Sequence, residues 1–190
     1  MGEKINLVGA LDADGTATGL ERVRIGTDET AVVPFTAEAE TVVLHYCAEP
    51  DVNDYVHCTG PGCPLCRCGR EQVRRHLLPV YDPMARAVRV LPVSTSLRPG
   101  ALWPQLAATL RAAEPQVVFV TRIQGDRHRV AVVPLAADVD AGEAEVAEFK
   151  DQYEAGRVAL ESVYPRIAAH DLAALPEVAA MLRLKGVAAS

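Results

Sequence analysis

The chain has 190 residues, of which 49% are hydrophobic and 23% are charged. This composition excludes a disordered chain, and the length allows one full hydrophobic core, so we expect one sizeable domain or one domain with an appendage. No apolar run approaches the roughly 18 residues that span a bilayer. The start of the chain, MGEKINLVGALDADG, lacks the features of a secretory signal, so we expect a cytoplasmic protein without membrane contacts, where thiols stay reduced.

The net charge of −6 is unevenly distributed along the chain. Residues 1–57 carry three basic and eleven acidic residues, whereas residues 58–130 carry eleven arginines and four acidic residues. Residues 131–190 carry five basic and ten acidic residues. A basic segment between two acidic flanks indicates an anion-binding surface for which the flanks compete.

The elements are predicted from hydrophobic periodicity and turn residues, beginning after an N-terminal segment (1–21) that is partly mobile around the acidic loop 11–19. Strands are expected at 30–35, 40–47, 76–82, 86–93, 116–123 and 127–135, with hairpins between the last two pairs. A short helix is expected to start at Pro104 and to end before Pro115. The pattern predicts a mainly β fold, with a small barrel over 22–135.

Helical periodicity begins after residue 141. One helix is expected to run through Val146, Phe149 and Tyr153 as far as Leu160 and Val163. Shorter helical pieces follow and end at Gly186. We therefore expect a C-terminal α-helical segment over 141–190.

Four of the five cysteines lie in the stretch HCTGPGCPLCRC, and Cys63 and Cys66 form a C-x2-C pair. Together with His45 and Cys58 they give the spacing H-x12-C-x4-C-x2-C, which matches the four N and S donors of a closed, structural zinc site. Cys68 and Cys47 are rivals of His45 for the fourth position. The odd number of cysteines speaks against a disulfide framework, and a Gly/Pro-rich loop between strands speaks against a thioredoxin-like redox pair. Inert, partly buried thiols are the remaining alternative.

These features resemble a known family. The chain resembles the zinc-containing, helix-destabilising single-stranded DNA-binding proteins of tailed phages, the gene-32 type, and their bacterial and prophage relatives. The segments that carry the resemblance, in this order, are LHYC (44–47), CTGPGCPLC (58–66), LLPVYD (77–82), VRVLPVS (88–94) and VTRIQGD (120–126). The resemblance covers roughly residues 22–135. It implies an OB-like barrel with an inserted zinc subdomain (about 45–70), one structural Zn²⁺, and a groove for single strands in replication, recombination or repair.

Sequence-tolerant binding of single strands needs a cationic groove and flat side chains on which bases stack. The stacking candidates are Tyr46 and Tyr81, in strands on either side of the cysteines. The candidates for phosphate contacts are Arg67, Arg70, Arg74, Arg75, Arg89, Arg122, Arg127 and Arg129. Arg127 and Arg129 share one face of their predicted strand, and Arg122 is expected to join them across the turn. Phe119 and Trp103 are expected in the core.

The expected partner is single-stranded DNA, with RNA as a second ligand, and the C-terminal helices are expected to serve self-association or contacts with replication and recombination proteins. The alternative function is a protein–protein interaction module whose fold is stabilised by zinc and which docks through those helices without binding nucleic acid. Neither a P-loop nor a nucleophile elbow is present, so we do not expect an enzyme. If the C-terminal segment occludes the groove, truncation after Leu135 should tighten binding.

Overall fold

The computed structural model describes residues 20–36, 38–111, 116–125, 127–136 and 141–186. The strands are β1 (Thr30–Pro34), β2 (Glu40–Cys47), β3 (Asp54–His57), β4 (Val73–Asp82), β5 (Ala87–Ser94), β6 (Gln116–Gln124) and β7 (Arg127–Pro134). The α-helices are α1 (Pro64–Arg67), α2 (Leu102–Thr109), α3 (Glu143–Glu154), α4 (Ala169–Ala174) and α5 (Pro176–Leu184), and Leu160–Val163 forms a 3₁₀ helix. The acidic loop 11–19, predicted to be mobile, lies outside the described residues.

The chain divides into two compact units. Of the described residues, the first unit contains 42–74 and 164–186, and the second contains 20–41 and 75–163. This division differs from the predicted one. Residues 164–186 share a unit with the cysteine-rich segment, whereas α3 and the 3₁₀ helix share a unit with the remaining strands.

The second unit is built on antiparallel strands in the order β5-β4-β1-β6-β7. In its register, Val33 is opposite Tyr81 and Ala31 is opposite Phe119. Within the described ranges, β5 and β7 are the two ends of this order and do not pair with each other, so the sheet is not closed. The mainly antiparallel β character with C-terminal helices is confirmed, but the OB-like barrel is not.

The core of the second unit follows from the two-residue period of its strands. Val118 and Val120 on β6 and Leu78 and Val80 on β4 are fully buried in one apolar cluster, and Leu106 of α2 packs into the same cluster. Trp103 packs against it, as expected, with its ring 4.3 Å from that of His76. The helix α2 begins at Leu102, two residues before the predicted start.

The predicted long helix after residue 141 is two elements. The helix α3 ends at Glu154, and Gly156 then adopts a φ of 68°, a left-handed conformation that ends the helical path. Phe149 is buried, and its ring lies edge-on against that of Phe35 at 5.8 Å. Gly142, at the start of α3, lies so close to the Tyr81 ring that a Cβ at this position would overlap it.

The first unit contains the β2–β3 pair and the helices α1, α4 and α5. Its apolar cluster joins residues from both parts of the sequence, with Leu65 beside Leu172, Val178 and Leu182. The carboxylate of Glu49 is buried beneath the start of α5, where one oxygen accepts hydrogen bonds from the N–H groups of Glu177 (2.7 Å) and Val178 (3.1 Å). A side chain more than a hundred residues away in sequence thus caps this helix.

Candidate metal centre

One histidine and three cysteines of the first unit converge on a single point. The ligand atoms of His45, Cys58, Cys63 and Cys66 all lie within 4.8 Å of one another. The Sγ atoms of Cys58 and Cys66 are 3.6 Å apart, and the Sγ of Cys66 lies 3.2 Å from the Nε2 of His45. These four residues are close enough to bind one metal ion, as the sequence spacing predicted.

The backbone of the cysteine loop brings the sulfurs together. Gly60 adopts a φ of 87°, a conformation that a residue with a Cβ rarely takes, and its carbonyl accepts the N–H of Cys63 at 3.0 Å. Cys63 is the N-cap of α1, and Pro64 follows it at the first helical position. Cys63 and Cys66 are three residues apart at the start of this helical turn, which places both sulfurs on one side.

The imidazole of His45 is held in one orientation. His45 lies in β2 opposite Val56 and is fully buried. Its Nδ1 lies 3.0 Å from the carbonyl oxygen of Glu71. Because a carbonyl only accepts hydrogen bonds, Nδ1 carries the proton, and the lone pair of Nε2 is left to face the sulfurs.

A residue that the sequence analysis did not single out completes the surroundings. The side-chain nitrogen of Gln72 donates to the Sγ of Cys66 at 3.2 Å and lies 3.5 Å from the Sγ of Cys58. No spacing rule points to this glutamine. It reaches the sulfurs because the segment that leaves α1 returns past them before it enters β4.

The thiols differ in their electrostatic surroundings. Burial raises the pKa of Cys66 to about 11, and the hydrogen bond from Gln72 opposes this rise. Burial also acts to raise the pKa of Cys63, but hydrogen bonds from the backbone of Cys66 and Thr59 outweigh it, so the pKa of Cys63 is lowered. A metal ion favours the thiolate of every cysteine that binds it.

The two rival cysteines do not belong to this cluster in the described part of the chain. Cys47 and Cys68 are buried in the apolar core of the first unit, and the thiol of Cys68 lies 3.7 Å from the carbonyl oxygen of Val178. Burial raises the pKa of both thiols. They act as small apolar residues, and His45 is the fourth member of the group.

Four residues predicted to bind nucleic acid lie in the first unit. Tyr46 is 45% exposed, its ring lies edge-on to that of Tyr55 at 5.4 Å, and its hydroxyl donates to Asn53 at 2.7 Å. Arg74 is exposed, Arg67 is half-buried, and Arg70 lies 3.6 Å from the carboxylate of Glu177. Tyr46 therefore presents a fixed, accessible ring.

The second unit contains the remaining candidates, and two of them do not suit the predicted role. Tyr81 is 1% exposed and packs beneath Gly142. The prediction that it stacks on bases is therefore wrong, because both faces of β4 are buried around this residue. Arg89 is bound by the carboxylates of Asp82 (3.0 Å) and Glu21 (2.5 Å). Phosphate would have to displace both acids.

The hairpin of β6 and β7 carries three exposed arginines. Arg127 is opposite Gln124 and Arg129 is opposite Thr121, so both lie on one face of the ladder. Arg122 is opposite His128, on the face that carries Val118 and Val120 farther along β6, so the prediction that it joins the other two is wrong. Phe119 alternates with these valines and is only half-buried. Arg75 lies half-buried in β4.

A scan against models of protein families, a search of curated proteins and a search of solved structures give no match to this chain. In the described ranges, no helix has the length and apolar character needed to cross a membrane. The site residues and their geometry therefore carry the functional argument by themselves.

Proposed function

We propose that the chain is a non-enzymatic, sequence-tolerant single-stranded DNA-binding protein whose first unit is held together by one structural Zn²⁺. The donor set supports zinc, because one imidazole and three thiolates are soft and borderline ligands that suit this ion. Two sulfurs bound to a tetrahedral zinc lie about 3.8 Å apart, and those of Cys58 and Cys66 are 3.6 Å apart. A closed set of four protein ligands favours a structural role over hydrolysis.

The observation that carries the nucleic-acid part of the proposal is the charge of the β6–β7 ladder. Neither strand contains an aspartate or a glutamate, yet they carry Arg122, Arg127 and Arg129, all exposed. Arg127 and Arg129 lie on one face with Thr121 and Gln124, so no acid of these strands competes for them there. Such a face attracts a phosphate backbone without reading its sequence.

The first unit supplies a surface for bases. The Tyr46 ring is exposed and is held by Asn53 and Tyr55, so stacking costs it little conformational entropy. Arg74 is exposed in the same unit. Base stacking on an aromatic ring contributes about 1–3 kcal/mol. Neither contribution needs a closed barrel, since each unit presents its own contacts: cationic side chains in the second and the Tyr46 ring in the first.

The alternative function, docking of a partner through the C-terminal helices, has less support. Of the apolar residues between Val146 and Val163 that suggested it, Phe149, Leu160 and Val163 are buried within the second unit. Leu172, Val178 and Leu182 of the shorter helices are buried within the first. Contacts with replication or recombination proteins, and binding of RNA beside DNA, remain part of the proposal as secondary partners.

The test is an anisotropy titration of labelled oligo-dT at several salt concentrations, with oligo-U in parallel. The logarithm of the binding constant falls with the logarithm of the salt concentration, with a slope of about 0.7 for each phosphate contact. The double variant Arg127→Gln/Arg129→Gln should therefore lower this slope by about 1.4 and weaken binding about 25-fold at 0.1 M salt. Lys150→Gln is the control, because Lys150 is exposed among the acidic residues of α3. Absence of binding by the wild type, or binding that does not depend on salt, would contradict the proposal.

A further inference from the structure

The candidate metal centre is protected unequally on its different sides. His45 and Cys63 are fully buried, whereas Cys58 and Cys66 are half-buried. Water, chelators and oxidants therefore reach the centre from the side of these two sulfurs. The exposed pair is also the one that Gln72 covers, with its amide nitrogen 3.2 Å from Cys66 and 3.5 Å from Cys58.

The chemistry of an amide suits this place. One side-chain NH₂ group has two N–H bonds, so a single nitrogen can donate to two sulfurs at once. Three thiolates and a neutral imidazole around a divalent ion leave one net negative charge on the sulfurs. Hydrogen bonds from a neutral donor spread this charge, and the amide adds no charge that would repel the metal ion.

The segment that carries Gln72 also orients a ligand. The carbonyl of the preceding residue, Glu71, accepts the Nδ1–H of His45 at 3.0 Å. Two adjacent residues therefore contact three of the four ligands, one through its backbone and one through its side chain. Such outer contacts tune metal affinity about 10- to 100-fold in metal sites generally.

We propose that Gln72 is a positioning residue that closes the exposed side of the metal centre and slows the loss of the metal through Cys58 and Cys66. This inference rests on the proposed metal centre but not on the binding of DNA. Gln72 lies on the surface of the first unit, so its replacement removes little apolar contact and should leave the fold intact.

The test compares metal release from Gln72→Ala, Gln72→Glu and the wild type. Transfer of zinc to a chromogenic chelator should be about 10-fold faster for Gln72→Ala. Gln72→Glu keeps the size of the side chain but has no N–H group to donate to Cys58 and Cys66, so its release should also be faster than that of the wild type. Glu71→Ala is the matched control, because it retains the backbone carbonyl that holds His45, and its release rate should equal that of the wild type.

A second readout separates tuning of the sulfurs from a general loosening of the fold. In the cobalt-loaded protein, the sulfur-to-metal charge-transfer band should shift in both Gln72 variants and stay in place in Glu71→Ala. Release rates and cobalt spectra that match the wild type in both variants would overturn this inference and leave the metal centre standing. A wild-type protein that binds neither zinc nor cobalt would overturn the metal centre itself, and this inference with it.

Discussion

The packing of α5 on the cysteine-rich segment leads to a quantitative prediction for Leu182→Ala. Leu182 is 1% exposed and lies in the same apolar cluster as Cys63 and Leu65. Removal of a buried leucine side chain costs about 2–5 kcal/mol, because the transfer energy is lost and a cavity remains. Leu184, two residues later in the same helix, is 87% exposed, so Leu184→Ala should change stability by less than about 0.5 kcal/mol.

A cobalt ion bound at the proposed metal centre would report on this unit alone, and the assay uses this property. In a denaturant titration of the cobalt-loaded protein, the metal absorption band should disappear at a lower denaturant concentration in Leu182→Ala than in Leu184→Ala. Because metal binding and folding are linked, a loss of about 3 kcal/mol should also weaken the apparent metal affinity by about two orders of magnitude. Equal behaviour of the two variants would refute the idea that α5 builds the core around the ligands.

The same packing changes the expectation for a truncated chain. From the sequence alone, removal of everything after Leu135 is predicted to tighten DNA binding by freeing a groove. It also removes Leu172, Val178 and Leu182 from the cluster that contains Cys63. We now expect the truncated chain to lose metal and stability, so a change in its DNA binding does not report on autoinhibition.

Three further predictions concern single side chains. His45→Ala should abolish stoichiometric zinc binding, measured by elemental analysis, and one retained equivalent would exclude His45 as a ligand. Glu49→Ala should cost about 1–3 kcal/mol in denaturant unfolding, because two N–H groups at the start of α5 lose their acceptor, whereas the exposed Asp51→Ala should have little effect. The hydrogen bond to Glu40 raises the pKa of Tyr153 to about 12, so its contribution to stability is complete below the unfolded pKa of about 10 and is lost as the pH rises through 12. In ultraviolet titrations, Tyr153→Phe should remove a phenolate transition near pH 12, and loss of one near pH 10 would contradict this assignment.

Local pattern identified most of the sheet and all four members of the metal cluster. Six of the seven strands coincide with runs of β-branched residues or with hairpin turns, since these signals act over a few residues. The candidate ligands were recognisable because a tetrahedral ion needs donors of given types at short spacings, and the Cys63–Cys66 pair meets this need within one helical turn. The four-residue elements β3 and α1 were missed, because they are too short to show a period.

Three features are visible only in the tertiary structure, because each depends on contacts between distant parts of the chain. The sequence predicted short helical pieces ending at Gly186, but not that the apolar residues of α4 and α5 pack beside the cysteines. The sequence of β4 marked Tyr81 as a strand residue, but the strands and helix packed around it determine that its ring is buried. The approach of Gln72 to two sulfurs depends on the path of the loop after α1. The sequence alone thus determined most of the strands and helices and the residues that could serve as metal ligands, whereas burial and the surroundings of these residues depend on long-range packing.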